Sequence, residues 1–160
     1  MDAPRPPQVT EPIDANELLR SAGLRVTRAR LGVLETLAVL EGHPTTEDVA
    51  KGLGARGITV SRASVFNVLA DLTAAGLVMV ADAGPGSTRY EIATEWHHHL
   101  VCRNCGSIID VPCAKGTKPC MTPDEAVGVV DEAQVIYRGM CNSCLALGLD
   151  PPLSGEGRAR

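Results

Sequence analysis

The chain has 160 residues, enough for one or two small domains, and a formal net charge of −4 at pH 7. Aromatic residues are scarce, with one Trp, two Tyr and one Phe, so Leu, Val, Ile and Ala must build the core, and small cores of that kind lean on a metal or a partner subunit. No run is long and apolar enough to span a bilayer, and the opening Met1–Pro7 stretch lacks the apolar segment of a secretory signal.

Residues 1–13 are Pro-rich and polar and read as a disordered arm. A first helix is expected from about Asp14 to Gly23. Thr27 can cap a second, in which Leu31, Leu34, Leu37 and Ala38 recur at helical spacing, and Gly42-His43-Pro44 ends it. Thr45 or Thr46 caps a third, with Glu47 and Asp48 in its first turn; Gly52, Gly54 and Gly57 are expected to break it. Ser61 begins a fourth, whose Val65, Val68, Leu69 and Leu72 form one apolar stripe. Ser61, Arg62, Ser64, Asn67 and Asp71 lie off that stripe, and Gly76 stops the helix. Leu77–Ala81 and Thr88–Ile92 read as strands around a turn at Asp82–Ser87. Helices in close succession followed by a hairpin are the pattern of a winged helix-turn-helix, here over residues 14–92. The charge is unevenly spread: from Arg20 to Arg62 seven basic residues face four acidic ones.

Residues 93–96 form a hinge, after which the composition changes. His99–Val101 and Ser107–Val111 read as strands, Thr122-Pro123 opens a helix, and Gln134–Arg138 is a third strand. Residues 97–148 thus form a small second domain, with an edge strand able to pair across a dimer axis, and 149–160 a flexible tail. The expected fold class is α+β.

The strongest motif is a four-cysteine frame, Cys102-Arg103-Asn104-Cys105 and Cys141-Asn142-Ser143-Cys144. Two such knuckles bring four thiolates around one tetrahedral ion and suit structural Zn²⁺, stapling the two ends of the second domain. The competing reading is a pair of redox CxxC motifs, which would sit before a helix in a βαβ unit; neither does by its sequence context. With no export signal, the paired spacing favours reduced thiols in a cytoplasm over a disulfide scaffold. His97, His98 and His99 lie just upstream. In an extended stretch His97 and His99 share one face and His98 takes the other. Spacing alone fits a surface cluster as well as a metal site, but Glu91, Asp110 and His43 supply further donors. Cys113 and Cys120 are left over, either as ordinary thiols or as a dithiol switch closing a short loop. Ser64, Phe66 and Asn67 stand where a recognition helix would read the major groove, with the basic segment before and the wing after favouring DNA.

These residues carry a family resemblance. Arg25–Arg28, His43–Asp48, Ser61–Leu69, Ala75–Val78, His97–Gly106 and Tyr137–Cys144 together resemble the ferric uptake regulator family, over about Leu18 to Leu147. The resemblance implies a cytoplasmic homodimer, a winged helix on double-stranded DNA carrying an inverted repeat, and a C-terminal dimerisation domain. It implies a sensing site at His43, Glu91, His97, His99 and Asp110, suited to Fe²⁺ or Mn²⁺, with Zn²⁺ or Ni²⁺ as substitutes, beside the structural Zn²⁺. It further implies DNA contacts from Arg25, Arg28, Ser61, Arg62, Ser64, Phe66 and Asn67. Asp110 matches the peroxide-responsive branch, whereas Glu91 departs from it. The Cys113/Cys120 segment is similar to an actinobacterial branch that controls catalase genes. The family's additional metal site looks degraded, with Trp96 and Met140 at ligand positions, so two metals per subunit are expected. The expected function is a metal-dependent repressor that senses hydrogen peroxide by oxidation of a ligand histidine. The alternatives are an iron-availability repressor and a thiol–disulfide sensor using Cys113 and Cys120. An enzyme, whether thiol oxidoreductase or zinc hydrolase, would leave the basic winged half without a purpose.

Overall fold

The computed structural model describes residues 13–40, 42–81, 86–93, 95–123 and 128–150. The chain divides into two compact units, residues 1–95 and 96–160.

Among its described residues the first unit has four helices and an antiparallel strand pair: α1 Ala15–Ser21, α2 Arg28–Val39, α3 Thr46–Ala55, α4 Arg62–Ala74, β1 Val78–Ala81 and β2 Arg89–Ile92. Each helix starts where a short polar side chain can satisfy the orphan N–H groups of the first turn. Asp14 accepts from the N–H of Asn16 and Glu17, Thr27 from Arg30, and Ser61 from Ser64. At α3 the cap is reciprocal: Thr45 Oγ1 accepts from the Asp48 N–H at 3.2 Å, and the Asp48 carboxylate accepts from the Thr45 N–H at 2.9 Å. The Thr45 hydroxyl also donates to Asp48 Oδ2 at 2.7 Å, and this bond first, then the one from the Thr45 N–H, holds the Asp48 carboxyl below the ordinary aspartate range. Val65, Leu69 and Leu72 of the α4 stripe are buried and Val68 half-buried. They close on Leu19, Val33, Leu34, Leu37, Val49 and Leu53 to form the core.

Two expectations need correction here. Ala38 is exposed, and the buried face of α2 runs instead through Val33, Leu34, Thr36 and Leu37. Gly52 and Gly54 do not break α3, which runs through both to Ala55. A Cβ on Gly52 would stand 2.5 Å from Thr36 Cγ2, so that glycine lets α2 and α3 approach closely.

The second unit holds a three-stranded sheet in the order β4-β3-β5, made of β3 His97–Cys102, β4 Ile108–Pro112 and β5 Ile136–Gly139. β3 and β4 are antiparallel, with His99 opposite Asp110; β3 and β5 are parallel, with His99 opposite Ile136. The β3–β4 turn closes on Gly106, whose φ of +72° a side chain would strain. A five-residue helix, α5 Asn142–Ala146, follows the second knuckle and is capped by Cys141. The helix expected from Thr122 is not formed by residues 121–123 or 128–135, and its remaining positions, 124–127, lie outside the described residues. So do residues 1–12 of the arm, 82–85 of the turn and 151–160 of the tail. No helix among the described residues is long and apolar enough to cross a membrane.

Candidate functional site

The four knuckle cysteines converge. Cys102 and Cys144 sulfurs lie 3.8 Å apart, and those of Cys105 and Cys141 3.7 Å apart. Two sulfurs held about 2.3 Å from one tetrahedral zinc stand about 3.8 Å apart, so the donors fit the ion. The surroundings prepare thiolates. Backbone N–H groups of Cys105 and Cys141 donate to Cys102 Sγ and hold its thiol down to about 6. Asn104 Nδ2 donates to Cys144 Sγ at 3.2 Å. Against that bond, the neighbouring Cys141, burial and the remaining knuckle thiols push Cys144 up to about 12. Four thiolates at this spacing repel one another, and a divalent cation removes that repulsion. Contrary to the sequence reading, the second CxxC does open a helix, because Cys141 caps α5. The strand, turn and short helix lack the βαβ context of a redox motif, and the sulfurs face one centre across two knuckles.

In the first unit, β2 draws the segment before α3 against itself. Tyr90 N–H donates to Pro44 O at 2.9 Å, and Arg89 Nη1 donates to His43 O at 3.0 Å. Thr45 bridges to Arg89. The result sets His43 Nε2 3.2 Å from Glu91 Oε2, with both side chains almost wholly out of solvent. In the second unit, the two-residue period of β3 puts His97 and His99 on one side, ring centroids 4.9 Å apart. Their Nε2 atoms lie 3.6 and 3.9 Å from Asp110 Oδ1. Gln134 Nε2 lies 3.4 Å from His99 Nδ1 and fixes that ring from behind. Imidazoles and carboxylates without thiolate suit Fe²⁺, Mn²⁺ or Zn²⁺.

His98 leaves β3 on the opposite side, where Cys113 and Cys120 meet it. Burial first, then the neighbouring His97 and His99, hold its imidazole below the ordinary value.

The nucleic-acid candidates lie in the first unit. Ser61, Arg62, Ser64, Phe66 and Asn67 are all exposed at the start of α4, Phe66 by 56 %. Of these, Arg62, Phe66 and Asn67 border a cleft of about 500 Å³ whose other walls include Thr46, Ser87 and Thr88. Arg25 and Arg28 are exposed too, and Arg28 reaches Gly57 O at 3.5 Å. Sequence reasoning placed Glu47 in the first turn of α3 but not its pairing with Arg62 at 3.0 Å and Lys51 at 3.1 Å. The i, i+4 spacing of Glu47 and Lys51 was the available signal. The roles of Arg89, Asn104 and Gln134 depend on contacts between distant segments and left no local signal.

A family model, described as the ferric uptake regulator family, matches residues 21–119. The chain belongs to the ferric uptake regulator family. It is 45% identical to the transcriptional regulator FurA of Mycobacterium tuberculosis over 133 residues, covering 82% of this chain and 90% of that protein. It is 37% identical to the peroxide operon regulator of Bacillus subtilis over 97 residues, 61% of this chain and 67% of that one. Among solved structures, the ferric uptake regulator of Pseudomonas aeruginosa with manganese superposes with a TM-score of 0.67 at 31% identity, covering 81% of this chain and 99% of that one. The chain is therefore a metal-dependent, DNA-binding transcriptional regulator with the α+β fold of this family, and its four-cysteine cluster and its His/Asp/Glu donors are fit for a structural zinc and a regulatory metal.

Proposed function

We propose that the chain is a homodimeric repressor that releases DNA when hydrogen peroxide oxidises a metal-ligand histidine. His43 and Glu91 on one side, and His97, His99 and Asp110 on the other, serve one divalent ion. Neither set fills a coordination shell alone, so the ion is worth most to the pose in which both sets reach it. In that pose the two α4 helices of a dimer enter successive major grooves of an inverted repeat. Arg25, Arg28 and Arg62 hold phosphates; Ser61, Ser64, Phe66 and Asn67 face base edges. The sheet ends on β4 and β5, either of which offers an edge to a second copy.

The observation that carries the peroxide reading is the thiol-free donor set closed by Asp110, 3.6 Å from His97. Fe²⁺ held by these residues would supply the redox chemistry that cleaves the peroxide O–O bond; in the net reaction one peroxide oxygen would enter a ring C–H bond of His43 or His97, the other would leave as water, and the oxidised ring would be a poor ligand. With the ligand lost, the DNA-competent pose loses its bias and oxidative-stress genes, catalase among them, are expressed. The test is peptide mass after peroxide treatment. A gain of one oxygen on the His43 or His97 peptide, with Fe²⁺ but not with Mn²⁺, is the expected result; DNA release with both peptides unchanged removes the mechanism. Glu91 favours a second reading, iron-availability repression, in which peroxide leaves the Mn²⁺ and Fe²⁺ forms equally active. The 45% identity to ferric uptake regulation protein 1 of Mycolicibacterium fortuitum points the same way.

A further inference from the structure

We propose that His98, Cys113 and Cys120 form a third metal site, which takes Zn²⁺ through one imidazole and two thiolates. The site lies wholly within the second unit and uses none of the knuckle cysteines or sensing donors.

The geometry is that of ligands around one small ion. His98 Nε2 and Cys120 Sγ are 3.3 Å apart, and one donor atom from each of the three residues lies within 4.8 Å of the others. Bonds of about 2.3 Å for Zn–S and about 2.0 Å for Zn–N place a sulfur and a nitrogen on one tetrahedral ion about 3.5 Å apart. The chain arranges this from separated elements. The alternation of β3 sends His98 away from His97 and His99, while the segment leaving β4 brings Cys113 and Cys120 back beneath it. Backbone contacts fix the side chains: Val135 N–H lies 3.3 Å from His98 Nδ1, and Cys120 Sγ donates to Ala133 O at 3.1 Å.

The donors are prepared for metal. His98 is buried, with both cysteines half-buried beside it. Burial acts to raise the Cys113 thiol, but the N–H groups of Lys115 and Gly116, the Cys120 thiol and the N–H of Thr117 together outweigh it and hold the thiol below its ordinary value. Ligation through Nε2 moves the ring proton to Nδ1 and gives up the long Val135 contact, one weak hydrogen bond against one coordinate bond. The Cys120 proton, donated to Ala133 O, leaves when the thiolate binds.

Donor softness separates this centre from the sensing site. Two thiolates and an imidazole select Zn²⁺, whereas imidazole and carboxylate tolerate Fe²⁺ and Mn²⁺. Three protein ligands leave the fourth position of the tetrahedron open to water or an incoming ligand. Three metals per subunit then replace the expected two. The additional centre does not use Trp96 or Met140; it is rebuilt from residues the sequence reading had set aside as leftover thiols.

The test uses the full chain, purified without oxygen, with its knuckle zinc retained and weaker sites emptied by a mild chelator. Adding Zn²⁺ is expected to slow alkylation of Cys113 and Cys120 roughly tenfold or more, because the free thiolate is the nucleophile. Adding Mn²⁺ leaves both rates unchanged. The double variant Cys113→Ser/Cys120→Ser is expected to bind one zinc fewer per chain while its four knuckle cysteines stay protected, which shows that the unit is folded. Alkylation rates indifferent to Zn²⁺, or equal zinc content in the variant and the parent, overturn the proposal.

Discussion

Removing the knuckle zinc should unfold one unit of this protein and leave the other standing. The perturbation is Cys141→Ser, or a strong chelator. The buried core of the second unit, among the described residues, is Cys102, Cys141 and Cys144, with Ile109 and Met140 packed against them. Those two side chains contribute at most about 3 kcal/mol each even if fully buried. A structural zinc contributes on the order of 10–16 kcal/mol of apparent binding energy. Its loss therefore exceeds what the apolar contacts can offset, given a net stability of about 5–15 kcal/mol for a whole domain. Among the described residues the first unit has twelve buried core residues, none a metal-site cysteine, and should be indifferent. The assay separates them cleanly. Trp96 is the chain's only tryptophan, belongs to the second unit, and packs edge-on to His98 under the Lys118 ammonium. All described helices except the short α5 lie in the first unit, so far-UV circular dichroism follows that unit. On zinc loss Trp96 emission shifts to longer wavelength while the helical signal and its thermal midpoint hold. Loss of both signals together, or of neither, refutes this division of stability.

Thr45→Ala removes the α3 cap and should cost about 1 kcal/mol in the unfolding of the first unit by urea. Asp48→Asn should destabilise the same unit at neutral pH, but the difference should shrink in acid. Because the folded carboxyl lies below its ordinary 3.8, the contribution is full above that pH and lost as pH falls through the depressed folded value; a gap unchanged at pH 2 would contradict the capping geometry. Arg62→Ala should weaken DNA binding on every sequence and reduce the salt slope by about 1, whereas Asn67→Ala should lose about 1–3 kcal/mol of discrimination at one base, read by binding to a panel of single-base operator variants. Glu47→Gln frees Lys51 and Arg62 from their shared carboxylate and should tighten DNA binding at low salt.

Local signals in the sequence carried much of this structure. Asp14, Thr27, Thr45 and Ser61 are capping residues whose chemistry acts within three residues, and each begins a helix. The α4 stripe and the alternation of His97, His98 and His99 follow from backbone period alone, and the knuckle spacing reports a tetrahedral ion directly. What failed was tertiary. Gly52 looks like a helix breaker until Thr36 is known to lie against it. The Thr122-Pro123 start signal promised a helix that residues 121–123 and 128–135 do not form, and capping chemistry alone does not drive a helix. The pairing of His98 with Cys113 and Cys120 depends on the connection from β4 to β5, which lie on opposite sides of β3 in the sheet, and no short-range pattern encodes it.

The central claim is that one divalent ion, shared by His43 and Glu91 with His97, His99 and Asp110, sets the affinity for DNA. The decisive measurement is operator binding during an oxygen-free Mn²⁺ titration of the parent chain, His43→Ala and His99→Ala, with bound metal counted in parallel. The account predicts that the parent gains affinity as one ion binds, and that each variant loses that ion and the gain with it. A His43→Ala protein that still binds the ion and still tightens on DNA would contradict the account.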